Sequence, residues 1–127
     1  MGREEAAVKL APNLQHLMPK RPKLGNRHVT VDGEKFDSRL EAGRWQTLRL
    51  LERAGEISDL RRQVRFPLLV QGIEIGHYTA DFVYLDRDGK RIIEDAKGFQ
   101  TKEFRRAAKH MAAQGDPITL WPPKGKR

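Results

Sequence analysis

Two strand-like runs, residues 78–84 and 92–97, each place an acid where a buried strand calls for an apolar side chain. Asp81 lies in the first and Asp95, next to Glu94, in the second, and Lys97 follows Asp95 two positions later. Strand side chains alternate between faces, so Asp95 and Lys97 project together. Burying charge costs several kcal/mol unless it is paired or holds a metal. The linking segment, Asp86-Arg87-Asp88-Gly89-Lys90, reads as a type I turn with Gly89 left-handed, a three-residue hairpin loop ending in a bulge. Pairing Asp86 with Lys90 sets Asp81 opposite Asp95, on one face, with Cβ atoms roughly 5 Å apart. A two-residue loop would shift the register by one and oppose Glu94 to Asp81. The longer loop is preferred because only it puts Lys97 on the acids' face. Two carboxylates that close repel unless a divalent cation lies between them.

The rest of the chain bounds the partner of such a site. At 127 residues, it is long enough for one domain with a modest core. Its net charge is +8, with seven Lys/Arg against two acids over residues 98–127 and seven against four over residues 1–35. That excess suits nucleic acid, the alternative being a basic surface kept for solubility. The absence of cysteine excludes disulfides and thiolate ligands and fits a reducing cytoplasm. No apolar run has membrane-spanning length and no signal-peptide pattern is present, so the expectation is a soluble, cytoplasmic protein.

Residues 1–27 are interrupted by Pro12, Pro19 and Pro22 and read as a flexible basic arm. Residues 28–122 read as the folded domain, and 123–127 as a basic tail. Residues 29–36 suggest a short hairpin around Asp32-Gly33. Helical signals run from Ser38, with Trp45, Leu48 and Leu51 at three-residue spacing, Leu40 and Ala42 before them and Gly55 closing the run. Residues 61–70 and 73–75 read as strands broken at Phe66-Pro67 and Gln71-Gly72, and the acidic hairpin follows. Thr101 can cap a second helix to about Gln114, stopped by Gly115 and Pro117. Residues 118–121 form a last strand.

This order of helix, three strands, helix, strand, with Asp on the second strand and Asp-x-Lys on the third, resembles the core of the PD-(D/E)XK nuclease superfamily. Within it, the chain is most similar to small phage-encoded endonucleases related to Holliday-junction resolvases. The resemblance rests on Ser38-Arg39-Leu40-Glu41, Tyr78-Thr79-Ala80-Asp81-Phe82 and Glu94-Asp95-Ala96-Lys97-Gly98, and covers residues 36 to 121. Two departures stand out: Ala80 in place of proline before Asp81, and Asp95 where many members have glutamate. The resemblance implies an α/β, restriction-endonuclease-like fold, a mixed central sheet flanked by helices. It also implies a Mg²⁺-dependent endodeoxyribonuclease, with Mn²⁺ able to substitute, acting on branched DNA in recombination, as a homodimer in the cytoplasm of a phage's bacterial host. Rival readings are a nicking or sequence-tolerant nuclease on linear duplex, and a non-catalytic nucleic-acid-binding protein on the same fold.

On this resemblance Asp81 and Asp95 are metal ligands, with the Ala96 carbonyl as a third. Lys97 orients or deprotonates the attacking water, or stabilises developing charge. The competing role for Asp95 and Lys97 is a structural pair at a sheet edge. Glu41 is either a helix-borne metal ligand or the second half of a Ser38-x-x-Glu41 capping box. Glu94 faces away from the site, as a charge on the opposite face or in contact with a helix. His77 and His110 have no partner at metal-ligand spacing. Gln63 either reaches phosphate or sits at a solvated strand position. Lys102, Arg105, Arg106 and Lys109 recur at helical spacing as a basic ridge, suited to a phosphate backbone or simply solvated.

Overall fold

The turn at residues 86–90 sets the centre of the sheet. Asp86 Oδ1 accepts from the Asp88 and Lys90 amides at 2.9 Å each, Asp86 N donates to the Lys90 carbonyl at 2.8 Å, and Gly89 has φ 82°. Strand β4 (Ile73–Leu85) therefore pairs antiparallel with β5 (Arg91–Ala96), running from Leu85 opposite Arg91 to Phe82 opposite Glu94. This is the register that the three-residue loop predicts. The structure, a computed structural model, describes residues 28–31 and 33–123. The predicted basic arm (1–27) and all but the first residue of the tail (123–127) lie outside the described residues.

β3 (Ser58–Val70) forms a long antiparallel hairpin with β4 through Gln71 and Gly72, both at positive φ (49° and 80°), the two-residue turn whose twist matches that of the strands. Two expectations are corrected here. β3 does not break at Phe66-Pro67, and residues 73–75 are the start of β4 and not a separate strand. Pro67 sits opposite His77 within the ladder. β3 lies at the edge of the sheet, where an outward position has no amide hydrogen bond to lose. β6 (Thr119–Trp121) adds parallel to β5, completing the order β3-β4-β5-β6.

Helix α1 (Arg39–Arg53) starts where Ser38 Oγ accepts from Glu41 N at 3.1 Å and ends just before Gly55 at φ 81°. Its stripe of Ala42, Trp45 and Leu48 packs on Phe36, Phe82 and Tyr84, with the Trp45 and Phe82 rings stacked at 6.1 Å. Phe36 belongs to the small hairpin of β1 (Val29–Val31) and β2 (Glu34–Phe36), which pairs as expected. Helix α2 (Lys102–Ala113), capped by Thr101, connects β5 to β6, and its Phe104 and Met111 pack with Phe66, Tyr78, Ala80, Val83 and Ile93. Among the described residues the protein is thus α/β, a mixed four-stranded sheet with two helices. Among the described residues, no helix is long and apolar enough to cross a membrane.

Along β4, Phe82 and Tyr84 join the core of α1, whereas Tyr78 and Ala80, of the same parity, join that of α2. The change of allegiance centres on Asp81. Between the pairs Arg62–Phe82 and Val64–Ala80, Gln63 takes a left-handed φ of 52°. Non-glycine residues adopt that region at a cost, and it clusters at sites with a function to serve.

Candidate active site

The ladder between β4 and β5 stops at Phe82–Glu94, and side chains take over one step further on. Asp81 N donates to Asp95 Oδ1 at 3.0 Å, and Ala96 N donates to Asp81 Oδ2 at 3.0 Å. Each aspartate thus caps a backbone amide of the opposite strand, and the two carboxylates are held side by side. Lys97 Nζ lies 3.5 Å from Asp95 Oδ2 and 5.0 Å from the centre of the Phe104 ring. β5 lies between β4 and β6, so this pair is interior to the sheet and the protective-edge explanation for Lys97 fails.

Glu41 comes to the same place from α1. It is 4% exposed, and its Oε2 accepts from Gln63 Nε2 at 3.1 Å and from Arg62 Nη2 at 3.3 Å. Of the capping box, the Ser38 bond to Glu41 N forms, while Glu41 Oε2 is turned to β3. The left-handed Gln63 is held by that bond to Glu41. Arg62, absent from the candidate residues above, covers the Phe36 ring at 4.0 Å and also binds Glu34. It carried the signal that exposed the acids: period-two spacing puts it in phase with Val64, Phe66 and Leu68, a charge on an apolar stripe.

Electrostatics make the pocket hungry for a cation. Burial, then the negative charges of Asp95 and Glu41, push the Asp81 carboxyl up to about 8, against smaller opposing effects of the Ala96 amide and Lys97. Burial also raises Glu41, which Arg62 partly offsets. A folded-state acid above its unfolded value of about 3.9 binds more protons folded than unfolded between those values, so stability falls as pH rises through the interval. The metal-free protein should therefore lose melting temperature from about pH 4 to pH 8, and Asp81→Asn should flatten that slope. Thermal melts across the range test this, and equal slopes in the two proteins would refute it.

Among the described residues, no group of three or more His, Asp or Glu side chains is gathered to hold a metal. The donor chemistry nonetheless fits a hard cation, since Mg²⁺ keeps several waters and is commonly bound by one or two carboxylates together with substrate phosphates. Asp81 and Asp95 supply that pair.

Other predicted residues separate from the pocket. Glu94, 1% exposed, faces α1, where it accepts from Arg44 at 2.6 and 3.0 Å and from the Tyr84 hydroxyl at 2.5 Å. His110 binds the Leu69 carbonyl at 2.8 Å, and His77 is exposed opposite Pro67. Lys102, Arg105, Arg106 and Lys109 are all exposed along α2, and Arg105 Nη1 donates to the Gln100 carbonyl at 2.9 Å. Phe104, in the first turn of α2, reaches Lys97, so the helix begins beside the pocket.

Fold and site together define an α/β protein with paired aspartates, Asp95 buried and Asp81 half-buried, and a lysine at the end of a central strand. The chain belongs to the family described as "Protein of unknown function (DUF1064)", whose profile matches residues 21–121. No curated protein and no solved structure matches it.

Proposed function

We propose that this chain is a divalent-metal-dependent endodeoxyribonuclease of the PD-(D/E)XK kind, acting on branched or otherwise structured DNA. The observation that carries the reading is the crossed pair of bonds that locks Asp81 beside Asp95, with the Lys97 ammonium 3.5 Å away. Asp95 is buried and Asp81 half-buried, and burial with the charge of its neighbours raises the Asp81 carboxyl.

Asp81 and Asp95 would hold Mg²⁺ or Mn²⁺, with the Ala96 carbonyl as a further protein donor and Glu41 contributing through a bound water. Bound there, the ion would supply Lewis acidity toward a phosphoryl oxygen and a lowered pKa for a water. Lys97 keeps its ammonium on the aspartates' side of β5, where it can orient that water or stabilise charge building on the phosphate. Gln63 and Arg62 hold Glu41 toward the pocket. The exposed cations Lys102, Arg105, Arg106 and Lys109 give a phosphate backbone a track that starts next to Lys97. A chain with one site that cuts two strands of a junction acts naturally as a homodimer.

The test is cleavage of matched four-way junction, flap, linear duplex and single strand with Mg²⁺, with Mn²⁺ and with excess EDTA. Junction or flap cutting that depends on metal supports the proposal. Preference for duplex favours a nicking or sequence-tolerant nuclease, and binding without cutting under either metal favours a non-catalytic binder. Cutting in excess EDTA would falsify the metal mechanism. Arg105→Glu with Arg106→Glu should weaken binding to every substrate and make affinity less steep with salt, by about one unit of log–log slope for each phosphate no longer neutralised. Unchanged affinity at low salt would remove the ridge from the interface.

A further inference from the structure

Among the described residues, three buried polar side-chain atoms lack a hydrogen-bond partner: Trp45 Nε1, Arg62 Nε and the Tyr78 hydroxyl. The last stands out by its surroundings. Tyr78 is 8% exposed, and its ring packs against Phe104 at 6.3 Å, the same ring that lies under Lys97. Burial, then the charge of Asp95, the attraction of the hydroxyl to the Asp95 carboxylate and the charge of Asp81 hold it protonated well beyond the usual tyrosine range. It is therefore a fixed donor directed toward the Asp95 carboxylate, without a well-formed hydrogen bond to it. Native proteins carry few such groups, because a buried hydroxyl without a partner forfeits its hydration. Asp95 has capacity to receive it. Its Oδ1 accepts from Asp81 N, while its Oδ2 faces Lys97 at 3.5 Å, long for a charge-assisted bond.

We propose that Tyr78 is a positioning residue of the loaded site, its hydroxyl donating into the acidic pocket and fixing the Asp95 carboxylate when the aspartates engage a divalent cation. The inference rests on the metal-site reading above and adds a residue to it. Ligating carboxylates are themselves commonly held by hydrogen bonds from a surrounding shell, and losing such a partner typically costs 10–100-fold in metal affinity, as an order of magnitude.

Tyr78→Phe removes the hydroxyl and keeps the ring against Phe104. In the metal-free full-length protein, the melting temperature should stay level or rise, since the atom removed has no partner. By calorimetry on the same protein, the Mn²⁺ dissociation constant should rise by about tenfold or more. A structural hydroxyl predicts the reverse, a lower melting temperature with Mn²⁺ affinity within about twofold of wild type, and either of those results overturns the proposal. If the wild-type chain binds no Mn²⁺, the metal-site reading itself falls, an outcome distinct from a Tyr78→Phe protein that binds as well as wild type.

Discussion

Asp81→Asn should lower phosphodiester cleavage by on the order of 10³-fold or more, while DNA affinity holds or tightens. The substitution is close to isosteric, and an amide oxygen can still accept from Ala96 N, so the strand crossing at Asp81 Oδ2 survives. What disappears is the negative charge that, with Asp95, would hold the cation. Asp95→Asn should act alike, because its amide oxygen can still accept from Asp81 N while the charge that faces Lys97 is lost. DNA binding persists because the ridge on α2 is separate from the acids, and removing negative charge from the cleft relieves repulsion of phosphate. Single-turnover cleavage, with a binding assay in Ca²⁺ and a thermal melt to confirm folding, decides it. Cleavage by a folded Asp81→Asn protein within tenfold of wild type would remove the aspartates from the mechanism.

Glu94→Ala is expected to be the most damaging change to the fold, at roughly 3–5 kcal/mol. Glu94 closes a buried set of three. Arg44 donates to both of its carboxylate oxygens, Tyr84 to one, and the Arg44 guanidinium covers Trp121 of β6 at 3.7 Å. The side chains of Arg44 and Glu94 are only 11% and 1% exposed. Truncating Glu94 leaves a desolvated guanidinium and an orphaned tyrosine hydroxyl, a penalty larger than the worth of the pair itself. The expected fall in melting temperature is roughly 10–20 °C for a chain of this size. Replacing the pair together, Arg44→Met with Glu94→Leu, should recover much of the loss, because no charge is then left unpaired. A Glu94→Ala protein that melts within a few degrees of wild type would show that the network carries little stability.

These two acids, Glu94 and the neighbouring Asp95, mark how far local reasoning reaches. Turn chemistry between residues 86 and 90 is complete within five residues, since Asp86 satisfies its own turn, and from it follows the register that separates Asp95 from Glu94. That Glu94 turns to the face opposite Asp95 was legible from alternation. That the partner is Arg44, 50 residues away, was not, because nothing local to α1 distinguishes it from the other arginines there. The caps at Ser38 and Thr101 were legible for the same local reason as the turn. The apparent break at Pro67 misleads because a proline's cost depends on whether its strand is central or at an edge, a property of the sheet and not of the strand.

The sequence by itself determined the strand pairing that opposes Asp81 to Asp95, the side of β5 that Lys97 shares, and the two helices that flank the acidic hairpin. Each of these depends on interactions a few residues long. Tertiary structure alone decided that Glu41 is held by Gln63 and Arg62, that the β3–β4 hairpin passes from one core to the other at Asp81, and that the Tyr78 hydroxyl is sealed in without a partner. Those features arise where elements distant in the chain exclude water from one another. Exclusion of water is what makes a charge or a hydroxyl costly, and it acts only once the elements have packed.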